Sequence, residues 1–207
     1  MDITVIGTGN MARGIATRLI AGGHGVTLLG TTQEKAQALA GELPGEARTG
    51  TVGDPLSGEV IVLAVWYPVV AHVLDRYGSQ LDGKIVVDIT NPLDVDAFEP
   101  ITVEAGSGAQ ETAATAPGAR VVKAFNTTFA GTLLEGQVSG QPLDVFIASD
   151  DDEAKAVVSR LASDGGLRPV DAGPLRRGRE LEALGYLHMA IQQNLDTGFA
   201  STIKVLA

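Results

Sequence analysis

Short apolar segments alternate along the chain with segments whose apolar residues recur every three or four positions. The apolar segments are rich in β-branched residues and read ITVI (3–6), GHGVTLLG (23–30), EVIVLAV (59–65), KIVVDIT (84–90), ARVVKAF (119–125), LDVFIAS (143–149) and LRPVDAG (167–173). After the first segment, Met11, Ile15 and Leu19 lie four apart, as on one face of a helix. This alternation predicts an α/β fold with a Rossmann-type, doubly wound, mostly parallel sheet and helices on both faces.

Two parts of the chain depart from this alternation. Residues 91–118 form a long, loop-rich connection with one helix expected at about 109–116, and such connections often carry function. We divide the chain into a sheet domain, residues 1–173, and a short C-terminal helical appendage, residues 174–207, whose tail (199–207) is expected to be a strand or an extended arm. The apolar stripe of the appendage helix comprises Leu181, Leu184, His188, Ile191 and Leu195.

The first strand leads directly into a glycine-rich turn. Residues 7–12 read GTGNMA, a G-x-G-x-x-A pattern between a strand and a helix, which is the setting of a dinucleotide-binding turn. The first glycine permits a tight turn, the second lets a pyrophosphate approach the backbone, and the alanine allows close helix–strand packing. A glycine-rich corner without a ligand is the alternative. The predicted cofactor contacts at this turn are Gly7, Thr8, Gly9, Asn10, Met11 and Ala12.

The end of the second strand indicates which dinucleotide would bind. NAD sites place Asp or Glu there to hold the ribose hydroxyls, but residues 30–33 read GTTQ. The hydroxyls of Thr31 and Thr32 can donate hydrogen bonds to a 2′-phosphate, and Lys35 or Arg13 can add positive charge. This favours NADP, although a threonine at this place can equally cap the next helix.

The carboxyl ends of three central strands are expected to line the place of reaction, because ligands bind there in doubly wound sheets. Trp66 and Tyr67 can stack on a ring, and Asn91 or Asn126 can bind the nicotinamide carboxamide or a carbonyl of the hydride acceptor. Alternatively, Trp66 packs under the next helix and Asn91 only makes a turn before proline. We predict cofactor contacts at Ala64, Val65, Trp66, Tyr67, Asn91 and Pro92, and acceptor contacts at Tyr67, Asn126 and Thr127.

Composition and charge limit the chemistry. The chain has 207 residues and a net charge of −10, which argues against nucleic acid or an anionic membrane surface as a partner. It has no cysteine, so thiolate catalysis, disulfides and zinc–thiolate sites are excluded, and we expect no metal site. No apolar run approaches the roughly 20 residues needed to span a bilayer. The N-terminus shows no signal-peptide pattern, so a cytoplasmic protein is expected.

Several charged residues have simpler explanations than catalysis. Asp150–Asp152 at a helix start are expected to cap that helix rather than to bind a metal. Lys123 lies within a strand, so its side chain is expected to point away from the neighbouring loop, which disfavours a catalytic acid. His188 is expected to be a core or interface histidine. One basic cluster, which either forms a solvated face with local ion pairs or meets the anionic tail of an acceptor, comprises Arg176, Arg177 and Arg179.

Four segments together resemble a known family. VIGTGNMARGIA (5–16), GTT (30–32), VVKAFNT (121–127) and DAGPLRRGRELEALG (171–185) are similar to the NADPH-dependent reductases of the deazaflavin coenzyme F420, a group that includes the cytosolic reductase domain of the six-transmembrane metalloreductases. The resemblance covers nearly the whole chain. It implies an enzyme that passes hydride between NADP(H) and a flavin or deazaflavin and has no catalytic residue, because the two cofactors carry the chemistry and the protein orients them.

Two other functions remain open at this stage: an NADPH-dependent reductase of a small ketone or imine, and a non-catalytic NADP(H)-binding redox sensor. Reductases of the first kind close their sites with a large helical second domain, whereas this chain has one substantial helix to spare. A second subunit or the 91–118 loop must then supply the lid. We expect a homodimer through the C-terminal helix and a small-molecule hydride acceptor as the other partner.

Overall fold

The secondary structure follows the predicted alternation in a computed structural model that describes residues 1–206. The strands are β1 (Asp2–Ile6), β2 (Gly25–Gly30), β3 (Ala47–Thr51), β4 (Val60–Leu63), β5 (Ile85–Asp88), β6 (Leu93–Asp94), β7 (Glu99–Pro100), β8 (Arg120–Lys123), β9 (Gln137–Val138), β10 (Gln141–Pro142), β11 (Asp144–Ala148) and β12 (Arg168–Gly173). The helices are α1 (Asn10–Ala21), α2 (Gln33–Ala40), α3 (Tyr67–Tyr77), α4 (Gly108–Thr115), α5 (Ala130–Glu135), α6 (Asp152–Asp164), α7 (Gly178–Ala190) and α8 (Gln192–Leu195), with 3-10 turns at Gly78–Leu81 and Leu175–Arg177.

Eight strands form one sheet in the order β12-β11-β8-β5-β4-β1-β2-β3. The strands from β8 to β3 are parallel, whereas β11 and β12 are parallel to each other and β11 is antiparallel to β8. Two small hairpins, β6–β7 and β9–β10, stand apart from the sheet. The predicted Rossmann-type, mostly parallel α/β sheet is therefore confirmed.

β3 is the strand of the eight-stranded sheet that the apolar pattern did not indicate. Its sequence is ARTGT, and most of its residues are at least partly exposed. It lies at the edge of the sheet beside β2, where Arg48 donates a hydrogen bond to Asp2 at 2.6 Å. An edge strand pairs on one side only, so polar and charged side chains are tolerated there.

The sheet buries aliphatic side chains on both faces. Successive residues of a strand point to opposite sides, so Val60 packs with α1, α5 and α6, whereas Ile61 packs with α3 and α4,. Gly14 brings α1 close to α5, because a Cβ there would lie 2.8 Å from the Cβ of Leu133. The glycine turn at the start of α1 is thereby held on a rigid support.

The C-terminal helices agree only in part with the predicted stripe. Leu181 and His188 are buried as expected, but Ile191 and Leu195 are exposed. The predicted apolar stripe therefore does not continue as a buried face beyond α7. The reason is that α7 stops and α8 begins at Gln192, which is buried instead. The predicted homodimer would cover these exposed side chains, and both that pairing and the division of the chain at residue 173 stay predictions.

Residues 199–206 form an extended arm without regular secondary structure, one of the two forms expected. Asp144 of β11 anchors the arm by accepting hydrogen bonds from Lys204 Nζ at 2.9 Å and from the N–H of Val205 at 2.8 Å. Arg168 Nε donates to the same carboxylate at 2.7 Å. Burial alone would raise the pKa of Asp144, but these hydrogen bonds lower it to about 2.

Acid should therefore loosen the arm. A carboxyl group whose pKa lies below its unfolded value of about 3.9 stabilises the fold above that value and loses its contribution as the pH falls from about 4 to about 2. We expect Asp144→Asn to lower the free energy of unfolding by about 2 kcal/mol at neutral pH and to flatten its pH dependence in that window. Urea denaturation at a series of pH values measures both effects. Asp171→Asn, at an exposed carboxylate, is the control, and an unchanged pH dependence in Asp144→Asn would contradict the assignment.

Candidate functional site

The glycine turn joins β1 to α1 and lies against the end of β4. Gly7 has a φ of +125°, and a Cβ there would lie 2.8 Å from the carbonyl carbon of Ala64 and closer still to its oxygen. Both the conformation and the space therefore require glycine. The N–H of Gly7 donates to the carbonyl of Leu29 at 2.9 Å, and Ala12 is fully buried. The tight turn and the close packing of α1 on the sheet thus have the predicted causes.

Gly9 is the N-cap of α1 and faces open space. Its φ is −85°, which any residue adopts, and a Cβ there would meet no atom within 4 Å. The fold does not require this glycine, whereas a ligand lying against the backbone would. The first turn of α1 has no side-chain cap and no acidic residue, so its N–H groups and the helix dipole can act on an anion. The turn therefore fits the pyrophosphate of a dinucleotide. The residues around it that are at least partly exposed are Thr8, Asn10 and Met11.

Thr31 and Thr32 are exposed just beyond the end of β2. Thr32 is the N-cap of α2, and its hydroxyl accepts a hydrogen bond from the N–H of Lys35 at 3.4 Å, so the capping role holds. The Lys35 side chain is exposed in the first turn of α2. Arg13 forms an ion pair with Glu42, in which Nε lies 3.2 Å from Oε2. The two hydroxyls and the Lys35 ammonium are thus the groups at this corner that suit a 2′-phosphate.

The segment after β4 presents an aromatic surface. Trp66 is 70 % exposed, so the alternative that it packs under α3 is wrong. The Tyr67 hydroxyl donates to Glu111 at 2.8 Å. Burial raises the pKa of Tyr67 above its ordinary value, and the nearby Glu111 carboxylate raises it further. The hydroxyl is therefore a weak proton donor to a substrate. Ala64 and Val65 are partly exposed between the glycine turn and this surface.

Asn91 and Asn126 follow two neighbouring strands and interlock. Asn126 Nδ2 donates to Asn91 Oδ1 at 2.9 Å and to the carbonyl of Leu181 in α7 at 2.8 Å. Asn91 Nδ2 donates to the carbonyl of Asn126 at 3.0 Å, so Asn91 does more than make the turn before Pro92. Gly185 of α7 permits this arrangement, since a Cβ there would lie 2.9 Å from the Asn126 carbonyl oxygen and from Asn91 Oδ1.

The loop after β8 combines backbone strain with unpaired polar atoms. Phe125 has a φ of +63°, which residues with side chains rarely adopt, and such strain clusters at functional sites. Within residues 1–206, Asn126 Oδ1 and the Thr127 hydroxyl have no hydrogen-bond partner although they are buried. A bound molecule would reach them only after a local movement, so their contact with an acceptor stays a prediction.

The 91–118 connection lies over α7. Its β6–β7 hairpin holds Phe98, whose ring centroid is 5.8 Å from that of Tyr186, and the Tyr186 hydroxyl donates to the Phe98 carbonyl at 3.3 Å. Val95 and Ile101 of the same loop are exposed. The helix expected in this connection is α4, as predicted.

A buried charge network lies beneath this edge of the sheet, and no motif in the chain indicates it. Lys123 Nζ lies 3.2 Å from Asp88 Oδ1 and 2.8 Å from Glu182 Oε1, and it donates to the carbonyl of Thr90 at 2.5 Å. Asp88 also accepts hydrogen bonds from the N–H and hydroxyl of Thr90 and from the hydroxyl of Thr112. Lys123 and Asp88 are completely buried, and the absence of a catalytic role for Lys123 stays a prediction.

Two carboxylates share this one lysine, and their pKa values move in opposite directions. Burial alone would raise the pKa of Asp88, but Lys123 and the Thr90 donors lower it below its ordinary value. Burial raises the pKa of Glu182, even though Lys123 acts against that change. Asp88 is therefore deprotonated more readily than Glu182.

Glu182 also joins α7 to the first turn of α4. Its carboxylate accepts hydrogen bonds from the N–H groups of Gly108 at 3.1 Å and Ala109 at 3.3 Å. Lys123 meanwhile holds the carbonyl of Thr90, the residue before Asn91. The network thus supports the loop that carries Asn91 and the start of α4, and Lys123 and Asp88 within it do not face solvent.

Asp151 and His188 have structural roles. Asp151 is the N-cap of α6 and accepts a hydrogen bond from the N–H of Ala154 at 2.9 Å, which confirms the capping prediction. His188 is a core residue: its Nδ1 lies 3.1 Å from the Thr127 carbonyl, its ring stacks on Phe129, and burial lowers its pKa.

In the described part of the chain, His, Asp and Glu side chains form no group arranged to hold a metal ion. None of the described helices is long and apolar enough to cross a membrane.

Comparison with known proteins agrees with this geometry. The family model described as NADP oxidoreductase coenzyme F420-dependent matches residues 2–92. The F420-dependent NADP reductase of Methanothermobacter thermautotrophicus is 31 % identical over 202 residues, which cover 89 % of this chain and 86 % of the relative. A crystal structure of a proposed F420-dependent NADP reductase from Arthrobacter sp. FB24 has a TM-score of 0.83 at 29 % identity and is matched over 99 % of both chains.

A second type of relative shares only part of its length with this chain. Metalloreductase STEAP3 of Rattus norvegicus is 35 % identical over 183 residues, which cover 88 % of this chain but 36 % of the metalloreductase. The reductases of the first type are matched over most of their own length. The chain belongs to the F420-dependent NADP reductase family, a family of NADP-dependent oxidoreductases.

Proposed function

We propose that this protein transfers hydride between NADP(H) and a flavin or deazaflavin acceptor. The observation that carries the proposal is the open face of Gly9 at an uncapped helix end, in a turn whose Gly7 lies against Ala64, two residues before the 70 % exposed Trp66. A dinucleotide along this turn would direct its nicotinamide toward the carboxyl ends of β4, β5 and β8. The names of the relatives, which pair coenzyme F420 with NADP, support the same assignment.

The choice of NADP over NAD rests on the corner after β2. No carboxylate occupies the end of that strand, so the usual partner of the ribose hydroxyls in NAD sites is absent there. The exposed hydroxyls of Thr31 and Thr32 and the Lys35 ammonium suit a phosphate group.

The proposed roles of the chain are to bind, to orient and to exclude water. NADPH, when bound, supplies the hydride, and the protein would hold the acceptor ring flat against the nicotinamide with Trp66 and Tyr67. The Tyr67 hydroxyl donates to Glu111 and has a raised pKa, and Lys123 is sealed from solvent. Neither offers a proton readily. A flavin-type ring that accepts hydride becomes an anion whose charge is delocalised and which solvent can protonate afterwards, whereas the localised anion formed from a ketone or imine needs a proton donor in the site. The site therefore favours a flavin-type ring.

Stopped-flow oxidation of NADPH tests the acceptor class, with coenzyme F420, FMN, FAD and a panel of ketones and imines. We expect turnover with the flavin or deazaflavin compounds and a weaker response with NADH. Turnover only with ketones or imines would overturn the acceptor class. NADPH binding without any turnover would favour a redox sensor, and equal use of NADH would overturn the cofactor preference.

Trp66→Ala should lower kcat/KM for the acceptor about tenfold, because stacking on an aromatic side chain is worth about 1–3 kcal/mol per ring. The same stopped-flow assay measures it. Leu206→Ala removes an 83 % exposed apolar side chain from the C-terminal arm and serves as the matched control, with no change expected. An unaltered kcat/KM in Trp66→Ala would exclude Trp66 from the acceptor site.

A further inference from the structure

A cavity lies beside the first turn of α4, and no residue of the glycine turn lines it. Its volume is about 300 Å³. One wall is the start of α4. The other is the 3-10 turn Leu175–Arg177 together with the first turn of α7. We call it the arginine pocket, and it is lined by Gly106, Gln110, Arg176, Arg177, Arg179 and Glu180.

The charges of the arginine pocket do not balance. Arg177 and Arg179 both approach the same carboxylate oxygen of Glu180, at 3.4 Å and 3.1 Å. Within residues 1–206, no carboxylate lies at ion-pair distance from Arg176. The pocket therefore holds three guanidinium groups and one carboxylate, in a chain whose net charge is −10. Like charges held close together repel, and an anion between them would remove that repulsion.

The framework of the pocket is rigid. Gly178 brings the start of α7 against α4, since a Cβ there would lie 2.9 Å from the Ser107 hydroxyl oxygen. The N–H of Leu175 donates to Asp150 at 3.0 Å. Glu182, one turn further along α7, holds the first N–H groups of α4. The backbone that carries the arginines is thus fixed before any ligand arrives, which reduces the entropy lost on binding.

The first turn of α4 connects the arginine pocket with the proposed acceptor site. Gln110 lines the pocket, while the next residue, Glu111, accepts the hydrogen bond of Tyr67 at 2.8 Å. An acceptor ring beside Tyr67 could therefore extend a side chain past α4 to the arginines. Guanidinium groups bind phosphate and carboxylate oxygens in a bidentate manner, so the ligand class is an anion with about two negative charges.

We propose that the arginine pocket binds a phosphate or carboxylate group carried on the side chain of the hydride acceptor, and thereby selects acceptors with an anionic tail. This inference rests on the proposed function for the identity of the acceptor. Inorganic phosphate shares the same chemistry, and the experiment separates the two sources.

The test compares acceptors that have the same ring and differ only in the phosphate. Dissociation constants of FMN and riboflavin, and of their 5-deaza analogues, are measured by fluorescence with saturating NADP+. We expect the phosphorylated compound to bind about tenfold more tightly, and Arg176→Gln/Arg179→Gln to abolish that difference without changing riboflavin binding. Arg160→Gln changes an exposed arginine of α6 and should preserve the difference.

Two results would overturn the inference. One is equal binding of FMN and riboflavin by the unaltered protein, and the other is a phosphate preference that persists in Arg176→Gln/Arg179→Gln. Inorganic phosphate should compete with FMN but not with riboflavin. If calorimetry detects phosphate in the pocket and FMN binding is unaffected, the pocket takes the free anion and the proposal for the acceptor fails. These measurements need no turnover, so a failure of NADPH oxidation would overturn the proposed function separately.

Discussion

Replacing Lys123 by methionine should lower the free energy of unfolding by about 3–5 kcal/mol, because removing one partner of a buried ion pair leaves an uncompensated charge. Lys123 lies between Asp88 and Glu182 and has no solvent exposure. Methionine fills a similar volume, so the loss would come from charge and hydrogen bonding rather than from a cavity. Chemical denaturation of the purified variant measures the change.

Lys155→Met is the matched control for Lys123→Met. Lys155 also lies between two carboxylates, Asp152 at 3.1 Å and Asp171 at 3.3 Å, but these are 92 % and 63 % exposed. We expect a loss under about 1 kcal/mol there. Adding Glu182→Gln to Lys123→Met should recover part of the stability, because one unpaired buried charge disappears. A loss in Lys123→Met no larger than in Lys155→Met would show that the network does not hold the fold.

The two glycines of the turn should respond to alanine in opposite ways. Gly7→Ala should lower the free energy of unfolding by about 3 kcal/mol or more, because the residue has a positive φ and its Cβ would collide with the backbone of Ala64,. Gly9→Ala should change stability by less than about 0.5 kcal/mol, since nothing lies within 4 Å of the added carbon,.

The affinity for NADPH should also distinguish Gly9→Ala from Gly7→Ala. In Gly9→Ala the added methyl group occupies the space where the pyrophosphate would lie, so the dissociation constant for NADPH should rise roughly tenfold or more. Thermal melts and NADPH titration by calorimetry measure the two properties side by side. Unchanged NADPH binding in Gly9→Ala would remove the turn from the cofactor site, and a fully stable Gly7→Ala would contradict the tight-turn geometry.

Features that depend on neighbouring residues in the chain could be predicted from the sequence. The covered strands appear as apolar runs because both faces of the sheet are buried,. The turn at residues 7–12 is recognisable because strand, glycines and helix follow one another directly. The cap at Asp151 and the helix α4 inside the 91–118 connection are local in the same sense.

Features that depend on the meeting of distant segments could not be predicted. Lys123, Asp88 and Glu182 come from β8, β5 and α7, and no spacing in the chain indicates that they touch. The sequence places Asn91 and Asn126 at neighbouring strand ends, but their interlocking depends on how closely α7 approaches. β3 escaped detection because an edge strand needs no apolar run.

The glycine at position 185 also matters for redesign of the enzyme. A glycine inside a helix costs about 1 kcal/mol relative to alanine, and here it allows the α7 backbone to touch both interlocked amides. Any larger residue would push the helix away from them, so this wall of the site tolerates no remodelling. Engineering of a new acceptor preference should therefore begin on the loop that lies over α7, with the exposed side chains of Val95 and Ile101, where library diversity would leave the scaffold intact.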